Sequence, residues 1–192
     1  MDVHPVVERA AQGELPSWAA VSPGRREHMD RVSRLLDAWA REEDLTEVEQ
    51  VRLRAAGYLH DVLHEAEPEA LRGRVPPGLD DLPGEVLHGP AAAERLRCAG
   101  VQDGELLRAV AYHTLGHVGF GHLGRLLYVA DFLEPGRDLL NDWRASLREK
   151  MPDQTTVVLR SVVASRIAHL VDEGRRLRPE TVAFWNSLAE EG

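Results

Sequence analysis

The 192-residue sequence has one cysteine, Cys98, so no disulfide can form within the chain. Such sparing use of cysteine is typical of proteins from a reducing cytoplasm. No uncharged apolar run approaches the ~20 residues that a membrane-spanning helix needs. The N-terminal stretch MDVHPVVERAAQGELP also lacks the basic start and apolar centre of a signal peptide. We therefore expect a cytoplasmic protein.

Positive charge is also in short supply. The chain has 23 Lys and Arg residues against 32 Asp and Glu residues, which gives a formal net charge of −9. This balance argues against general binding of nucleic acid or of a membrane surface, because both attract a positive field. It also repels an anionic substrate at long range unless positive charge is concentrated locally. Bound divalent metals could supply that charge.

Alternating runs of β-branched residues are missing too, so the sequence predicts no sheet and an all-α fold. Ser22 before Pro23 and the pair Thr46 and Glu49 are typical helix starts. We expect residues 1–21 to form an N-terminal segment, 22–140 one helical domain, and 141–192 further helices packed on that domain. The predicted helices cover about 22–43, 46–66, 90–97, 103–114, 123–133, 155–172 and 179–190, with a largely irregular loop over 73–90.

Polar residues interrupt the apolar faces of these helices. His28 shares a helical face with Val32, and His113 shares one with Val110, while Asp131 ends the apolar run LGRLLYVAD. The inward-facing set is His28, His60, Asp61, His88, His113 and Asp131. Each could be a hydrogen-bonded core residue, but mixed imidazole and carboxylate ligands also suit Fe, Mn, Zn or Ni. Spacing alone leaves both interpretations open.

The order H…HD…H…H…D resembles that of the HD superfamily of metal-dependent phosphohydrolases. Several stretches are similar to its YqeK-type branch, the symmetric dinucleoside-tetraphosphate hydrolases of bacteria. These stretches are SPGRREHMDRV, AAGYLHDV, LHGPAAAERL, RAVAYHTLG and LGRLLYVADFLEPGRD. The HD dipeptide is a weak signal, whereas YHTLG followed by YVADFLEPGR is a strong one. The resemblance covers about residues 20–140 and weakens over the C-terminal helices.

This resemblance implies a single HD-domain helical bundle with a dinuclear metal site in its core. It implies two divalent or mixed-valence ions, commonly iron, although the same donors accept Mn, Zn or Co. The activity implied is hydrolysis of diadenosine tetraphosphate to two ADP. Carried over by position, the six inward-facing His and Asp residues are the ligands, and Asp61 is the catalytic bridge between the ions.

Residues near these ligands become candidates for substrate contacts. Arg25 or Arg26, and also Arg137, are candidates for phosphate contacts, although each can equally be a solvated surface arginine. Thr114 is a candidate for a hydrogen bond to substrate, or for capping the end of its helix. His64 stands where this branch usually has a lysine, and we expect it to contact phosphate or donate a proton. His117 and His122 lie in the glycine-rich stretch HVGFGHLG. His117 is a candidate for phosphate binding at the pocket mouth, although both can equally be loop residues without a role.

The sequence leaves two other functions open. One is an HD phosphohydrolase of another nucleotide, such as a dNTP or a nucleoside monophosphate. The other is a regulatory module that keeps the helical shell without catalysis, although six retained ligands argue against it. The expected partner is a small-molecule nucleotide, with no nucleic acid and no membrane. The oligomeric state stays open, with a homodimer as one option.

Overall fold

The computed structural model describes residues 3–136 and 141–191, and regular structure in these two ranges is entirely helical. The all-α prediction is therefore confirmed. The α-helices are α1 (Pro5–Ala11), α2 (Pro23–Glu42), α3 (Glu47–Leu59), α4 (Pro68–Arg72), α5 (His88–Cys98), α6 (Gly104–Tyr112), α7 (His122–Leu133), α8 (Asn141–Arg148), α9 (Thr155–Asp172) and α10 (Pro179–Glu190). A short 3₁₀ helix covers Gly84–Val86.

Side-chain caps account for several helix starts. The Ser22 hydroxyl accepts a hydrogen bond from the Arg25 N–H at 3.3 Å, and Thr46 and Glu49 form a reciprocal capping box. Asp103 caps α6 and also binds the guanidinium of Arg52 with both carboxylate oxygens, at 2.6 and 2.9 Å. The last two predicted helices, 155–172 and 179–190, coincide with α9 and α10.

The predicted helix over 46–66 is too long, because α3 ends at Leu59. Apolar residues continue beyond this point, but tertiary hydrogen bonds stop the helix. The Ala20 N–H donates to the Val62 carbonyl at 2.9 Å, and the Glu65 N–H donates to the Ala20 carbonyl at 3.0 Å. Residues 60–65 therefore form turns, and His60 and Asp61 lie just beyond the C-terminal end of α3 rather than on one of its faces.

Smaller corrections concern helix ends and short helices. Helix α5 begins at His88 rather than Pro90, and α6 ends at Tyr112 rather than Thr114. The loop predicted over 73–90 contains the 3₁₀ turn. Helices α1, α4 and α8 were not predicted; they have 7, 5 and 8 residues. Helices this short carry too few turns for a clear hydrophobic period.

Helix α7 runs through the centre of the bundle and packs against α2, α3, α6, α8 and α9. Its residues Leu126 to Ala130 are fully buried, as the apolar run predicts. The guanidiniums of Arg144 and Arg148 on α8 donate to the carbonyls of Phe132 and Leu133, at 2.7 and 2.6 Å. These bonds satisfy carbonyls at the end of α7, next to Asp131. Within the described ranges, no helix combines the length and apolar content needed to cross a membrane.

Two glycines allow close contact between pairs of helices. A Cβ at Gly57 on α3 would lie 2.6 Å from Cα of Ser33 on α2. A Cβ at Gly89 on α5 would lie 2.9 Å from the carbonyl oxygen of Val110 on α6. Both distances are shorter than real Cβ contacts, so only glycine fits. Each crossing brings together two segments that carry a predicted metal ligand.

Candidate metal centre

The structure brings all six inward-facing His and Asp side chains together in the core, and all six are buried. Ligand atoms of His28, His60 and Asp131 lie within 4.8 Å of one another, as do those of His60, Asp61 and His113. They come from α2, the turn after α3, the start of α5, the end of α6 and the end of α7. Residues distant in the sequence therefore form one cluster of donors.

Three of the histidines have a defined ring orientation. In His60, His88 and His113, Nδ1 lies 3.0, 3.0 and 2.8 Å from the carbonyl oxygen of the residue three positions earlier. A carbonyl oxygen only accepts hydrogen bonds, so Nδ1 carries the hydrogen in each ring. The other nitrogen, Nε2, then presents its lone pair to the cluster. This is the usual arrangement for a metal-ligating histidine.

The Nε2 atoms meet in two pairs. Those of His28 and His60 are 3.3 Å apart, and those of His88 and His113 are 3.1 Å apart. Two imidazole lone pairs repel at this distance unless a proton or a cation lies between them. Two nitrogens on one metal ion, each at about 2.0–2.1 Å, are separated by about 3 Å. The spacing therefore fits donors that share an ion.

Asp61 lies between the two pairs and offers one oxygen to each. Its Oδ2 is 3.4 Å from Nε2 of His60 and 3.6 Å from Nε2 of His28. Its Oδ1 is 3.1 Å from Nε2 of His88 and 3.3 Å from Nε2 of His113. Burial raises the pKa of Asp61, but the neighbouring histidines outweigh burial and hold the pKa well below its usual range. An ionised carboxylate split in this way can bridge two ions.

We call His28, His60 and Asp131 the first half-site, and His88 with His113 the second half-site. In the first, Oδ1 of Asp131 is 3.3 Å from Nε2 of His28. With Asp61 shared, the first half-site offers four donors and the second offers three. This mixture of nitrogen and oxygen donors fits Fe, Mn, Zn or Co and does not suit Mg or Ca.

Glu134 was not among the predicted site residues, yet it contacts His28 inside the core. Its Oε1 is 3.3 Å from Nδ1 of His28, and its Oε2 accepts from Nε of Arg31 at 2.5 Å. Burial raises the pKa of Glu134, but the bonds from His28 and Arg31 outweigh it and lower the pKa to about 2. Burial acts in the opposite direction on His28 and lowers its pKa, but Asp131 and Glu134 outweigh burial and raise the pKa to about 9. A metal that binds His28 therefore displaces a proton.

The site opens to solvent on the α2 side. A pocket of about 240 Å³ is lined by Ser22, Gly24, Arg25, His28, Glu65 and Glu134. Nη1 of Arg25 donates to Oδ2 of Asp61 at 2.8 Å. Its Nε is 4.0 Å from the Glu65 carboxylate. Arg25 therefore lies between the pocket and the carboxylate of Asp61. A cation at this position is what the predicted phosphate binding requires.

His64 and Thr114 also lie beside the cluster. The His64 ring centroid is 5.0 Å from that of His88, and a third of its side chain is exposed. Burial lowers the pKa of His64. The His64 Nδ1 and the Thr114 hydroxyl oxygen are buried without a hydrogen-bond partner in the described part of the chain. The His64 Nδ1 also lies 3.6 Å from Oε1 of Glu65, and the substrate-binding roles of both residues stay predictions.

Among the described residues, three other candidates make contacts away from the cluster. Arg26 donates to the Gly13 carbonyl at 2.5 Å and lies over the Tyr58 ring. His117 packs on the Tyr112 ring, and its Nδ1 accepts from the Gly119 N–H at 2.9 Å. His122 pairs with Glu43 at 2.6 Å, between α7 and the end of α2. Arg137 lies outside the described residues.

Comparison with known proteins gives a consistent assignment. The HD domain family model matches residues 25–136, which is more than half of the chain. That range contains the six clustered His and Asp residues.

Similar curated proteins include two that are named symmetrical bis(5'-nucleosyl)-tetraphosphatase. The one from Halalkalibacterium halodurans is 29% identical over 105 residues, which are 54% of this chain and 55% of that protein. The one from Bacillus subtilis is 43% identical over 67 residues, which are 34% of this chain and 36% of that protein. The matched regions thus span about half and about a third of these relatives.

A solved structure resembles the whole fold. It is described as a predicted HD superfamily hydrolase involved in NAD metabolism, from Clostridium acetobutylicum. The match has a TM-score of 0.80 and 20% sequence identity, and covers 97% of this chain and 96% of the other. The similarity therefore extends through the C-terminal helices.

Proposed function

Because the chain belongs to the HD domain family, we propose that it is a metal-dependent phosphohydrolase that cleaves diadenosine tetraphosphate symmetrically. Water is added across the central P–O–P bond, and the products are two ADP. One observation carries the proposal: the two oxygens of the Asp61 carboxylate face two different pairs of histidine nitrogens, Oδ2 towards the pair with His60 and Oδ1 towards the pair with His88. The name shared by the curated relatives supports this choice of substrate.

The chain's own residues define two positions for ions. The first half-site, the second half-site and the shared Asp61 would hold them. When bound, two such cations supply a water of lowered pKa and positive charge for the phosphoryl oxygens. We infer that the ions are iron, with Mn, Zn or Co as the other metals that suit these donors. Metal analysis of the protein purified without added metal tests this choice.

Arg25 is the residue best placed to receive the polyphosphate. Arg25 lines the pocket together with Glu65 and Glu134, and its guanidinium donates to Asp61, so a phosphate that enters the pocket would share this cation with carboxylates. A guanidinium binds phosphate oxygens with two parallel hydrogen bonds. Arg25 together with bound cations would offset the long-range repulsion expected from a chain of formal net charge −9.

His64 is proposed to contact the polyphosphate, because its ring lies beside His88 and its lowered pKa favours a neutral imidazole that donates a hydrogen bond to a phosphate oxygen. We expect His64→Ala to lower kcat by about 10–100-fold, which corresponds to the ~1.5–3 kcal/mol of a hydrogen bond to a charged group. Metal content should stay at the wild-type level, because His64 lies outside the six ligands. The exposed His169 offers a matched control, and His169→Ala should leave both values unchanged. Equal loss of metal in His64→Ala would instead make His64 a ligand.

We also infer that the protein acts in the cytoplasm. The single cysteine fits a reducing compartment, and a nucleotide substrate would be available there.

The proposal is tested by a product assay. The metal-loaded protein is incubated with diadenosine tetraphosphate, and the nucleotides are separated by anion exchange. ADP as the sole product supports symmetric cleavage. ATP with AMP would show asymmetric cleavage and contradict the proposed seating of the substrate. Absence of hydrolysis with metal bound would favour another nucleotide, and the same protein should then be tested with dNTPs and nucleoside monophosphates.

A further inference from the structure

We infer that Arg166, on α9, is a positioning residue for Asp131, which makes the C-terminal helices part of the catalytic unit. The inference rests on the metal site of the proposed function and extends it beyond residues 25–136, where the family match ends. Arg166 reaches the centre from outside that range and touches one of its six His and Asp residues.

The two oxygens of Asp131 have different neighbours. Nη2 of Arg166 donates to Oδ2 at 2.7 Å, whereas Oδ1 is 3.3 Å from Nε2 of His28 and 4.0 Å from Nε2 of His60. One oxygen therefore faces the ligand nitrogens while the guanidinium engages the other. The consequence is that Asp131 offers a single oxygen, Oδ1, to a cation in the first half-site.

The same guanidinium also contacts the segment that carries His113. Nη1 of Arg166 donates to the carbonyl oxygen of Thr114, the next residue, at 3.2 Å. One planar group thus links the end of α7 to the end of α6. It therefore connects Asp131, in the first half-site, to the residue that follows His113, in the second half-site.

The position of Arg166 is set by its surroundings. Its guanidinium carbon lies 4.6 Å from the centroid of the Tyr128 ring and 5.4 Å from that of Phe132. Only a fifth of the side chain is exposed. A lysine ammonium would keep the charge but not the planar pair of donors that reaches both Asp131 and Thr114. The prediction therefore depends on the fork geometry and not on charge alone.

The test is titration of the metal-free full-length protein with Mn²⁺, with unbound Mn²⁺ measured from its electron paramagnetic resonance signal. We expect Arg166→Met to weaken Mn²⁺ binding by about 10–100-fold, the usual effect of removing a residue that orients a ligand. Arg166→Lys should recover only part of this loss. The control is Arg160→Met, on the same helix, where Nε donates to the Leu188 carbonyl of α10 at 2.8 Å. That variant should bind Mn²⁺ as the wild type does.

Several results would overturn the inference. If Arg166 acted only through its positive charge, its removal would tighten Mn²⁺ binding. Unchanged or tighter binding in Arg166→Met therefore contradicts a positioning role. Equal weakening in Arg160→Met would show general loosening of α9. If Arg166→Met fails to fold by circular dichroism, Arg166→Lys decides, and wild-type affinity in that variant rejects the inference. If the wild type binds neither Mn²⁺ nor Fe²⁺, both this inference and the proposed function are rejected.

Discussion

Replacing Asp61 by Ala is expected to abolish hydrolysis of diadenosine tetraphosphate and to reduce bound metal. The variant removes the carboxylate whose Oδ2 faces His60 and whose Oδ1 faces His88. Bound cations contribute several kcal/mol of transition-state charge stabilisation, so loss of the carboxylate that holds them corresponds to a rate loss on the order of 1,000-fold. Asp61→Asn, which keeps the shape and removes the charge, should lose nearly as much. Product formation and metal content are measured on the same preparations.

The matched control for this prediction is Asp153, an exposed residue in the turn before α9. Asp153→Asn should retain both wild-type turnover and wild-type metal content. Wild-type turnover in Asp61→Ala would contradict the two-metal assignment. Full metal content with no turnover would instead show that Asp61 acts in catalysis without bridging the ions.

Gly57→Ala is expected to lower the free energy of unfolding by about 1–3 kcal/mol, the usual cost of overpacking a core. The added Cβ would lie 2.6 Å from Cα of Ser33 and 2.7 Å from its nitrogen, and backbone atoms cannot move aside as a flexible side chain can. Helices α2 and α3 must therefore separate. His28 lies on α2 and His60 directly follows α3, and their Nε2 atoms are 3.3 Å apart. The first half-site should therefore widen and bind metal more weakly.

Gly104, at the start of α6, provides the comparison for Gly57. A Cβ there has no atom within 4 Å, so Gly104→Ala should leave metal binding unchanged. It should stabilise the fold by about 0.4–1 kcal/mol through the unfolded chain. Denaturant unfolding with and without chelator, together with Mn²⁺ titration, separates the two variants. Unchanged stability in Gly57→Ala would mean that the α2–α3 crossing accommodates a methyl group.

The sequence predicts helices well where local signals agree with the fold, and less well where distant contacts decide. Helices α9 and α10 match their predicted ranges because their length and apolar content are typical of helices, and because Pro179 suits the first position of α10. Helix α3 ends earlier than its apolar pattern indicates because the segment around Ala20 binds the Val62 carbonyl and the Glu65 N–H. No property of residues 46–66 alone contains that information.

The same distinction applies to the candidate site. The cluster could be predicted from the sequence because histidines lie on apolar helix faces and because of the HD pair. The roles of these residues as metal ligands stay predictions. Glu134 and Arg166 carry no comparable signal. Glu134 follows an apolar helix just before Pro135, where an acid looks like an ordinary helix end. Arg166 is an arginine on a helix with many apolar residues, and only the packing of α9 on α7 shows that it reaches Asp131.

Because of the inward-facing donors, the stability of the folded chain depends on the concentration of free metal. A cation that binds the native state but not the unfolded chain adds RT ln(1 + [M]/Kd) to stability, about 2.7 kcal/mol when free metal is 100 times Kd. Without cations, the paired imidazole nitrogens at 3.3 and 3.1 Å repel unless protons take their place. When metal becomes scarce, more chains would open and meet proteases. Enzyme abundance and catalytic capacity would then fall together.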